Sequence, residues 1–463
     1  MKVNAMLLLI KSKFLQVARD KQQVIIWHSL FGYPMSVSKT VLEIIDFFKI
    51  PRTFQSVFDE YEYSDNLKVV VNELIDHYFL VPVDFNERNI LAQKNKNLEQ
   101  SIASGALINY LELIVSEECN FRCLPCIHFS NLKTTDRSKI PKKFMDFKVA
   151  KNAVDYFISL LRKHNKKVAE INFGGGEPLL AWPEIERVCE YCINTYGLEF
   201  DILFSLNTNA SLITAEIAKK LRDYKIKIAS SLDGLKEGNN CVRLTKSGKG
   251  TFSAILNGFD TLAAQKYPID GFTVTVSEGN FKFINEKIID WAAGRKMSEV
   301  RIDIDVIGMV GISVENIVGK LMRIRRYAQK QGIEVFGFWS RPVENLNESV
   351  LETQVSFCGA VRGSSICVSP SGDIYGCGYS RARLGTLDEK NCFCIQGGQY
   401  YNFIKNRFSG AMEMCKGCMI EGQCGGGCQI TQEFAKTNRT EKVERMCDFY
   451  RCMTQELLFE QLH

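Results

Sequence analysis

Between residues 107 and 338 the chain alternates strand-like and helix-like patterns, and this alternation constrains the fold more than any other feature. Six apolar runs read as strands: "LELIVS", "VAEINFGG", "DILFSLNT", "KIKIASSLD", "GFTVTVS" and "EVRIDIDV". Helical patterns stand between them, among them "AKNAVDYFISLLRKH", "TAEIAKKLRDY" and "FSAILNGFDTLAAQ". Strands joined by crossover helices pair in parallel, so residues 107–340 are expected to form a partial (β/α)6 barrel of α/β class. In such barrels the chemistry sits at the carboxyl ends of the strands.

The first of those ends carries "EECNFRCLPCIHF", which puts Cys119, Cys123 and Cys126 within eight residues. The chain has 17 cysteines, none before Cys119 and eleven from Cys358 to Cys452. The amino-terminal "MKVNAMLLLIKSKF" is broken by Lys11 and lacks a small-residue cleavage site, so it does not read as a signal peptide. No apolar run reaches the length of about 18 residues that a membrane span needs. A cytoplasmic location is therefore expected, and in a reducing compartment clustered thiols imply metal ligation rather than disulfides. Thiolates select zinc or iron–sulfur. Zinc at the three-cysteine loop needs a fourth ligand, and His128 sits awkwardly close to Cys126 for that. An iron–sulfur cluster on three thiolates leaves one iron open.

Two regions flank the barrel. Residues 1–90 contain a strand, "QQVIIWHS", three helical stretches and a closing strand, "FLVPVDF", which is a winged-helix-like order. DNA is an unsuitable partner, because Lys21 to Ile90 holds 6 Lys and Arg against 10 Asp and Glu. The whole-chain charge of +5 likewise gives little reason to expect nucleic acid. Residues 91–106 read as a polar linker. From residue 345 to 463 glycine and cysteine crowd in and periodicity fades, so order there is expected to depend on metal. Cys189 and Cys192, three apart on a helical stretch, read as core thiols. Cys392 and Cys394 suggest no role, and His28, His77, His164 and His463 show no ligand pattern.

The C-x3-C-x2-C spacing after the first strand resembles the signature of radical S-adenosylmethionine (SAM) enzymes, with Pro125 where the family usually has an aromatic residue. "GGGEP" at the second strand end, "LNTN" at the third and "SSLDG" at the fourth extend the likeness. By that resemblance Gly174, Gly175, Gly176, Glu177, Asn207, Ser231 and Arg243 are SAM contacts, the guanidinium suiting a carboxylate. The family's "HD" ahead of that arginine is replaced by "NNCV". The tail, with its C-x2-C-x5-C-x3-C run, resembles a SPASM domain. That implies two auxiliary 4Fe-4S clusters, one on Cys358, Cys377 and Cys428 and the other on Cys415, Cys418, Cys424 and Cys447. Cys367 is a candidate to complete the first. A zinc-ribbon-like staple is the alternative for the tail.

The resemblance implies three 4Fe-4S clusters, SAM as cosubstrate and a one-electron donor such as flavodoxin or ferredoxin. It also implies cleavage of SAM to a 5′-deoxyadenosyl radical that takes hydrogen from the substrate. The expected substrate is a ribosomally made precursor peptide whose leader segment adds a strand to the sheet edge "QVIIWHS". A thioether cross-link is the expected product, with a carbon–carbon or other cross-link as the alternative. A sulfatase-type maturase is disfavoured, because that subgroup carries an aspartate after the second tail cysteine, where this chain has Gly378. A reading of another class, a metal-binding regulator, needs neither "GGGEP" nor an open three-cysteine site.

Overall fold

The computed structural model describes residues 6–21, 23–61, 64–130, 143–306, 309, 311–353, 355–387, 398–435 and 441–462. Cys392, Cys394 and His463 lie outside the described residues. The first region begins with strands β1 (Leu8–Lys11), β2 (Leu15–Arg19), β3 (Val24–His28) and β4 (Gly32–Val37). Helix α1 (Lys39–Phe47) follows, its amino terminus capped by Ser38, whose hydroxyl accepts from the Val41 amide. Strand β5 (Arg52–Thr53), α2 (Ser56–Glu60), α3 (Asp65–Asp76) and β6 (Leu80–Pro82) complete it. Two three-stranded sheets result, ordered β5-β1-β6 and β2-β3-β4. The strand, three helices and closing strand read from the sequence are there as β3, α1, α2, α3 and β6, with β1, β2, β4 and β5 added to them.

The sequence "QVIIWHS" is not an edge. It forms β3, the middle strand of its sheet, paired with β2 through Val17↔Ile26 and with β4 through Ile26↔Met35. Alternation then buries both faces. Ile26 joins Leu15, Ile45 and Val71 in the local core, whereas Ile25 and Trp27 join the main core of the chain. The stretch expected to be a linker is a helix, α4 (Glu87–Ser104). The Arg88 and Asn89 amides donate to the Asn86 side chain at its start, and Gly105 closes it at φ 78°. Only Glu87, Leu91 and Ile102 along it are buried.

All six expected barrel strands are present: β7 (Tyr110–Ser116), β8 (Val168–Gly175), β9 (Asp201–Thr208), β10 (Lys227–Ser230), β11 (Gly271–Val276) and β12 (Glu299–Ile304). A further strand, β13 (Glu334–Phe336), extends them. Every pairing within β7–β10 and within β11–β13 is parallel, and the bridge Ser231↔Thr273 joins the two sets. The connections run through α5 (Ile127–Ser130), α6 (Phe147–Lys163), α7 (Trp182–Tyr196), α8 (Ala215–Asp223), α9 (Lys236–Val242), α10 (Phe252–Ala264), α11 (Lys287–Gly294) and α12 (Val314–Lys330). Cys189 and Cys192 are buried on α7, in the core as expected.

The two faces of the strands differ. On β9, Phe204, Leu206 and Thr208 are buried under the helices, while Leu203 is 47% exposed and Asn207 is exposed on the inner face. The barrel interior is therefore an open, polar lumen rather than packed core.

The tail is more regular than its sequence suggested. After α13 (Arg341–Asn347) and α14 (Gly359–Arg362), β14 (Ser365–Val368) pairs in parallel with β7 and so extends the barrel sheet. Antiparallel β15 (Asp373–Tyr375) and β16 (Gly385–Thr386) follow it. Short helices α15 (Gln399–Lys405), α16 (Glu421–Cys424) and α17 (Gln429–Ala435) lead to α18 (Glu441–Gln461), which buries Met446, Phe449, Met453 and Leu457. Apolar burial thus supplies part of the order that was expected to depend on metal.

Candidate active site

The three-cysteine loop leaves β7 at Ser116 and is tied down by main-chain bonds. The Arg122 amide donates to Leu244 O at 2.6 Å and the Leu124 amide to Val242 O at 2.8 Å. Glu118, buried beside Cys119, pairs with Lys246 and, at 3.6 Å, with Arg122. His128 bonds through Nε2 with the Glu117 carbonyl at 3.0 Å, so its ring is held by its own loop. Cys119, Cys123 and Cys126 form no disulfide. Burial pushes Cys119 up to about 12, with the Glu177, Cys123 and Cys126 charges adding to it. Burial also raises Cys123, to about 11, while Arg243 pulls it down.

Buried thiols that oppose one another's ionisation are stabilised as thiolates only by a cation. Among the described residues no three His, Cys, Asp or Glu side chains are set to hold one metal ion. A structural zinc needs four ligands, and the nearest candidate in the sequence for a fourth, His128, has its Nε2 on the Glu117 carbonyl. Three thiols without a fourth ligand suit an iron–sulfur cluster.

"GGGEP" is stitched to this loop. The Gly176 amide donates to Ser116 O at 2.7 Å and the Glu177 amide to Glu118 O at 2.9 Å. Gly175 has φ +124°, and a Cβ there would meet Ser116 O well inside 3.0 Å, so no other residue fits. A Cβ on Gly174 would stand 2.6 Å from Glu112 Oε1 in the lumen. The Glu177 side chain does not face the lumen. Its Oε1 accepts from Thr208 Oγ1 at 2.6 Å and the Leu179 amide at 3.1 Å, and its Oε2 from the Asn209 amide at 2.8 Å. Glu177 thereby clamps the ends of β8 and β9 together. Burial raises it to about 7 against those three donors.

Asn207 is exposed near the end of β9, and Ser231 follows β10 half-buried, bridged to Thr273; Asn209, not singled out in the sequence, reaches the loop. Its Nδ2 donates to Asn120 Oδ1 at 2.8 Å and lies 3.9 Å from Cys119 Sγ. Arg243 is no surface arginine. Its Nε donates to Asp233 at 2.7 Å and its Nη1 stands 3.9 Å from Cys123 Sγ. Asp233, fully buried, also accepts from the Thr275 amide. An arginine fixed by a buried aspartate beside the cluster loop is poised to hold an anion.

Below the loop, Glu112 lines the lumen. Its Oε2 accepts from the Gly378 amide at 3.1 Å, Asn172 Nδ2 stands 3.5 Å from its Oε1, and Ser205 Oγ donates to Asn172 Oδ1 at 2.9 Å. Burial raises the Glu112 carboxyl. Tyr379 is 41% exposed, and its phenol is raised by burial and by the Glu112, Cys377 and Cys126 charges. It directly follows Gly378, the donor to Glu112. Glu112 and Tyr379 thus stand between the first loop and the tail, and neither carried a sequence signal. A surface cleft of about 530 Å³ between α12 and α18, lined by Val318, Met322, Arg326 and Cys452, contains none of these groups.

The tail cysteines gather in two sets. Cys377 and Cys428 are raised by burial, both with the Cys358 charge adding to it. Cys367 is buried on β14, opposite Glu112, and its thiol is raised by burial, then by Glu112 and Cys377. In the second set burial raises Cys415 to about 12 and Cys447 to about 11, and it raises Cys424, with charges from within the set, Cys418 included, adding to each. Beside them the buried Nη1 of Arg407 and both amide atoms of Gln429 lack hydrogen-bond partners. Of these, Arg407 Nη1 and Gln429 Nε2 are donors, and buried donors beside thiols fit an anionic group such as a thiolate-bound cluster.

Residues 113–279 match the family model of the radical SAM superfamily. The radical SAM cyclopropyl synthase TigE of Paramaledivibacter caminithermalis is 26% identical over 461 residues, covering 97% of this chain and 96% of that protein. A cysteine-type anaerobic sulfatase-maturating enzyme of Clostridium perfringens is 24% identical over 73% of this chain and 92% of its own. Among solved structures, anSMEcpe with bound AdoMet and the Cp18Cys peptide matches 76% of this chain and 96% of its own at TM-score 0.58 and 20% identity. Streptococcus suis SuiB bound to precursor peptide SuiA matches 93% and 97% at TM-score 0.51 and 14% identity, and at such identities the two show a shared fold. Residues 113–279 are therefore a radical SAM domain, and the chain that carries it is a radical SAM enzyme.

Proposed function

We propose that this enzyme closes a new bond within a ribosomally made precursor peptide, taking one hydrogen atom, one electron and one proton from it. The observation that carries the reading is the polar lumen, open beneath the cluster loop and bounded on its far side by the first tail cysteine set. Similarity to a cyclopropyl synthase over nearly the full length supports carbon–carbon closure over the thioether expected from the sequence. The sulfatase-maturating relatives keep protein maturation of that type as the second reading.

Cys119, Cys123 and Cys126 would hold the cluster, and Gly174, Gly175, Gly176, Asn207, Ser231 and Arg243 would border SAM. Glu177 serves by clamping β8 to β9. When bound, the cluster and SAM supply one-electron reductive cleavage of the sulfonium, with the electron drawn from a flavodoxin- or ferredoxin-like donor. The chain's own residues do the rest. Arg243, held by Asp233, orients a carboxylate beside Cys123. The barrel wall excludes water from the lumen. Glu112 Oε1 takes up the proton that the peptide loses, and burial, which raises this carboxyl, makes it the stronger base. The tail sets would hold two auxiliary clusters, the first a one-electron acceptor.

The leader of the peptide would pair with the first region, though not at β3. Of the two edge strands, β4 is covered: Tyr33 bonds to Ser349 at 2.5 Å, and a Cβ on Gly32 would stand 2.6 Å from Leu346 O. β2, with Val17 exposed, is the edge that accepts a strand.

The test is anaerobic reaction of the reconstituted enzyme with SAM, reductant and a precursor peptide encoded beside it. The expected product has lost two hydrogens and keeps every cysteine thiol open to alkylation. A blocked thiol would restore the thioether reading, and a formyl-type oxidation of one side chain the sulfatase-type reading. SAM cleavage without any change in the peptide would refute the proposal.

A further inference from the structure

Arg407 follows α15 and is only 8% exposed. Its Nη1 is buried with no hydrogen-bond partner. Burial lowers its proton affinity, while charges on Cys428, Cys358, Glu433 and Cys415 push it back up. Those thiols come from both tail sets, and the backbone places Arg407 there too: a Cβ on Gly425, which lies between Cys424 of one set and Cys428 of the other, would stand 3.5 Å from Arg407 O. Glu433 is engaged elsewhere, because its carboxylate accepts from Ser380 Oγ at 2.6 Å and the Arg381 amide at 2.7 Å. Gln429, adjacent to Cys428, is also buried with both amide atoms unpartnered. The guanidinium lies over the Phe403 ring at 5.7 Å, but its Nη1 and the Gln429 Nε2 remain buried donors without acceptors, and an anion would satisfy both.

We propose that Arg407 is a positioning residue for electron transfer: a fixed positive charge shared by the two tail cysteine sets, which raises the reduction potential of the clusters they hold. This rests on the reading of the tail as a two-cluster domain. A positive charge in a low-dielectric setting favours the more negative, reduced state of any cluster near it. One charge placed between two sets makes each an easier electron acceptor, so an electron leaving the peptide has a downhill route out of the lumen. Gln429 would add hydrogen bonds to the same anion.

The experiment uses full-length protein with Cys119, Cys123 and Cys126 replaced by alanine, so that only tail clusters remain. Iron and sulfide are counted after anaerobic reconstitution, and each cluster is titrated potentiometrically by electron paramagnetic resonance. About eight irons per chain are expected. Arg407→Gln should make both clusters at least tenfold harder to reduce, a fall of about 59 mV for a one-electron couple, and Arg407→Lys should recover most of it. Iron lost in Arg407→Gln but kept in Arg407→Lys also supports the proposal, since charge is then what the site needs. Full iron with potentials unmoved, or a shift confined to one cluster, overturns the assignment of Arg407 alone. Iron lost equally in both variants makes the residue structural and overturns it too. No tail iron with Arg407 intact refutes the two-cluster reading itself.

Discussion

Gly175→Ala isolates the stitch between the cluster loop and β8. Two costs can be worked from the structure. The backbone at φ +124° lies where an L-residue pays about 1–3 kcal/mol. The new methyl would also meet Ser116 O well inside 3.0 Å, and forcing an extra group into a packed site costs about 1–3 kcal/mol. Together they give roughly 3 kcal/mol, and at 1.4 kcal/mol per tenfold this is about a 100-fold change in a local opening equilibrium. Long chains unfold in parts, so the assay must be local: hydrogen exchange of the Gly176 and Glu177 amides, which donate to Ser116 O and Glu118 O. Their protection should fall about 100-fold. Gly248→Ala is the control, because Gly248 also has positive φ, +79°, but nothing lies within 4 Å of a Cβ there. It should leave the two amides as protected as in the parent. Protection in Gly175→Ala within about threefold of the parent would show that the Ser116 carbonyl yields, and that the glycine is not required by the loop.

Replacing Cys119, Cys123 and Cys126 together by alanine should abolish 5′-deoxyadenosine formation and lower reconstituted iron from about twelve to about eight per chain; cleavage retained in that variant would remove the radical assignment. Glu112→Gln should lower the ratio of peptide product to 5′-deoxyadenosine at least tenfold, read by quantitative chromatography of both, since the amide cannot accept the proton. Val17→Asp should weaken binding of a labelled precursor peptide about fivefold, because a charge on an edge strand opposes pairing; fluorescence titration reads it. His28 is buried and neutral, with Nδ1 accepting from the Leu30 and Phe31 amides, and burial lowers it from 6.5 to about 3. A depressed folded value means stability that is full above pH 6.5 and lost as pH falls toward 3. The first region should therefore lose about 2 kcal/mol between pH 7 and pH 5, and His28→Gln should flatten that slope in urea titrations at the two pH values.

What could be read in advance follows from what is local. The six barrel strands were legible because runs such as "GFTVTVS" combine β-branched residues with a short, bounded length, and the cysteine loop because its spacing is contiguous. Helix α4 was missed because only Leu91 and Ile102 bury apolar side chains along it, too sparse a stripe to show a period, although its Asn86 cap and Gly105 stop were present in the sequence. The place of β3 in its sheet depends on β2 and β4, whose short runs, one interrupted by Pro34, carry weak signals of their own. Glu112 carried no signal, because a polar residue between apolar ones is what any half-exposed strand shows. In a barrel with an open lumen the polar face points inward, and alternation alone does not tell inside from outside. Arg243 could be named from its position after the fourth strand, but its partner Asp233 emerged only with the chain folded back on itself.

The first region is anchored to the tail on several sides. Trp27 Nε1 donates to Met419 O at 2.7 Å, the Gly422 amide to Ser29 O at 2.9 Å, Gln23 Nε2 to Phe459 O at 3.0 Å, and Arg88 grips Glu421 with both ends of its fork. A platform fixed in this way cannot swing toward the barrel mouth, so if it holds the leader as proposed it would act as a ruler. A peptide held on β2 must cross a set distance with its own backbone, at no more than about 3.3–3.6 Å per residue. The enzyme would then choose which residue to alter by counting from the leader as well as by side-chain identity. Precursors with residues deleted from the connecting stretch should be bound but left unmodified below a sharp length, as mass spectrometry of a deletion series would reveal. A gradual decline with length would mean that the platform moves.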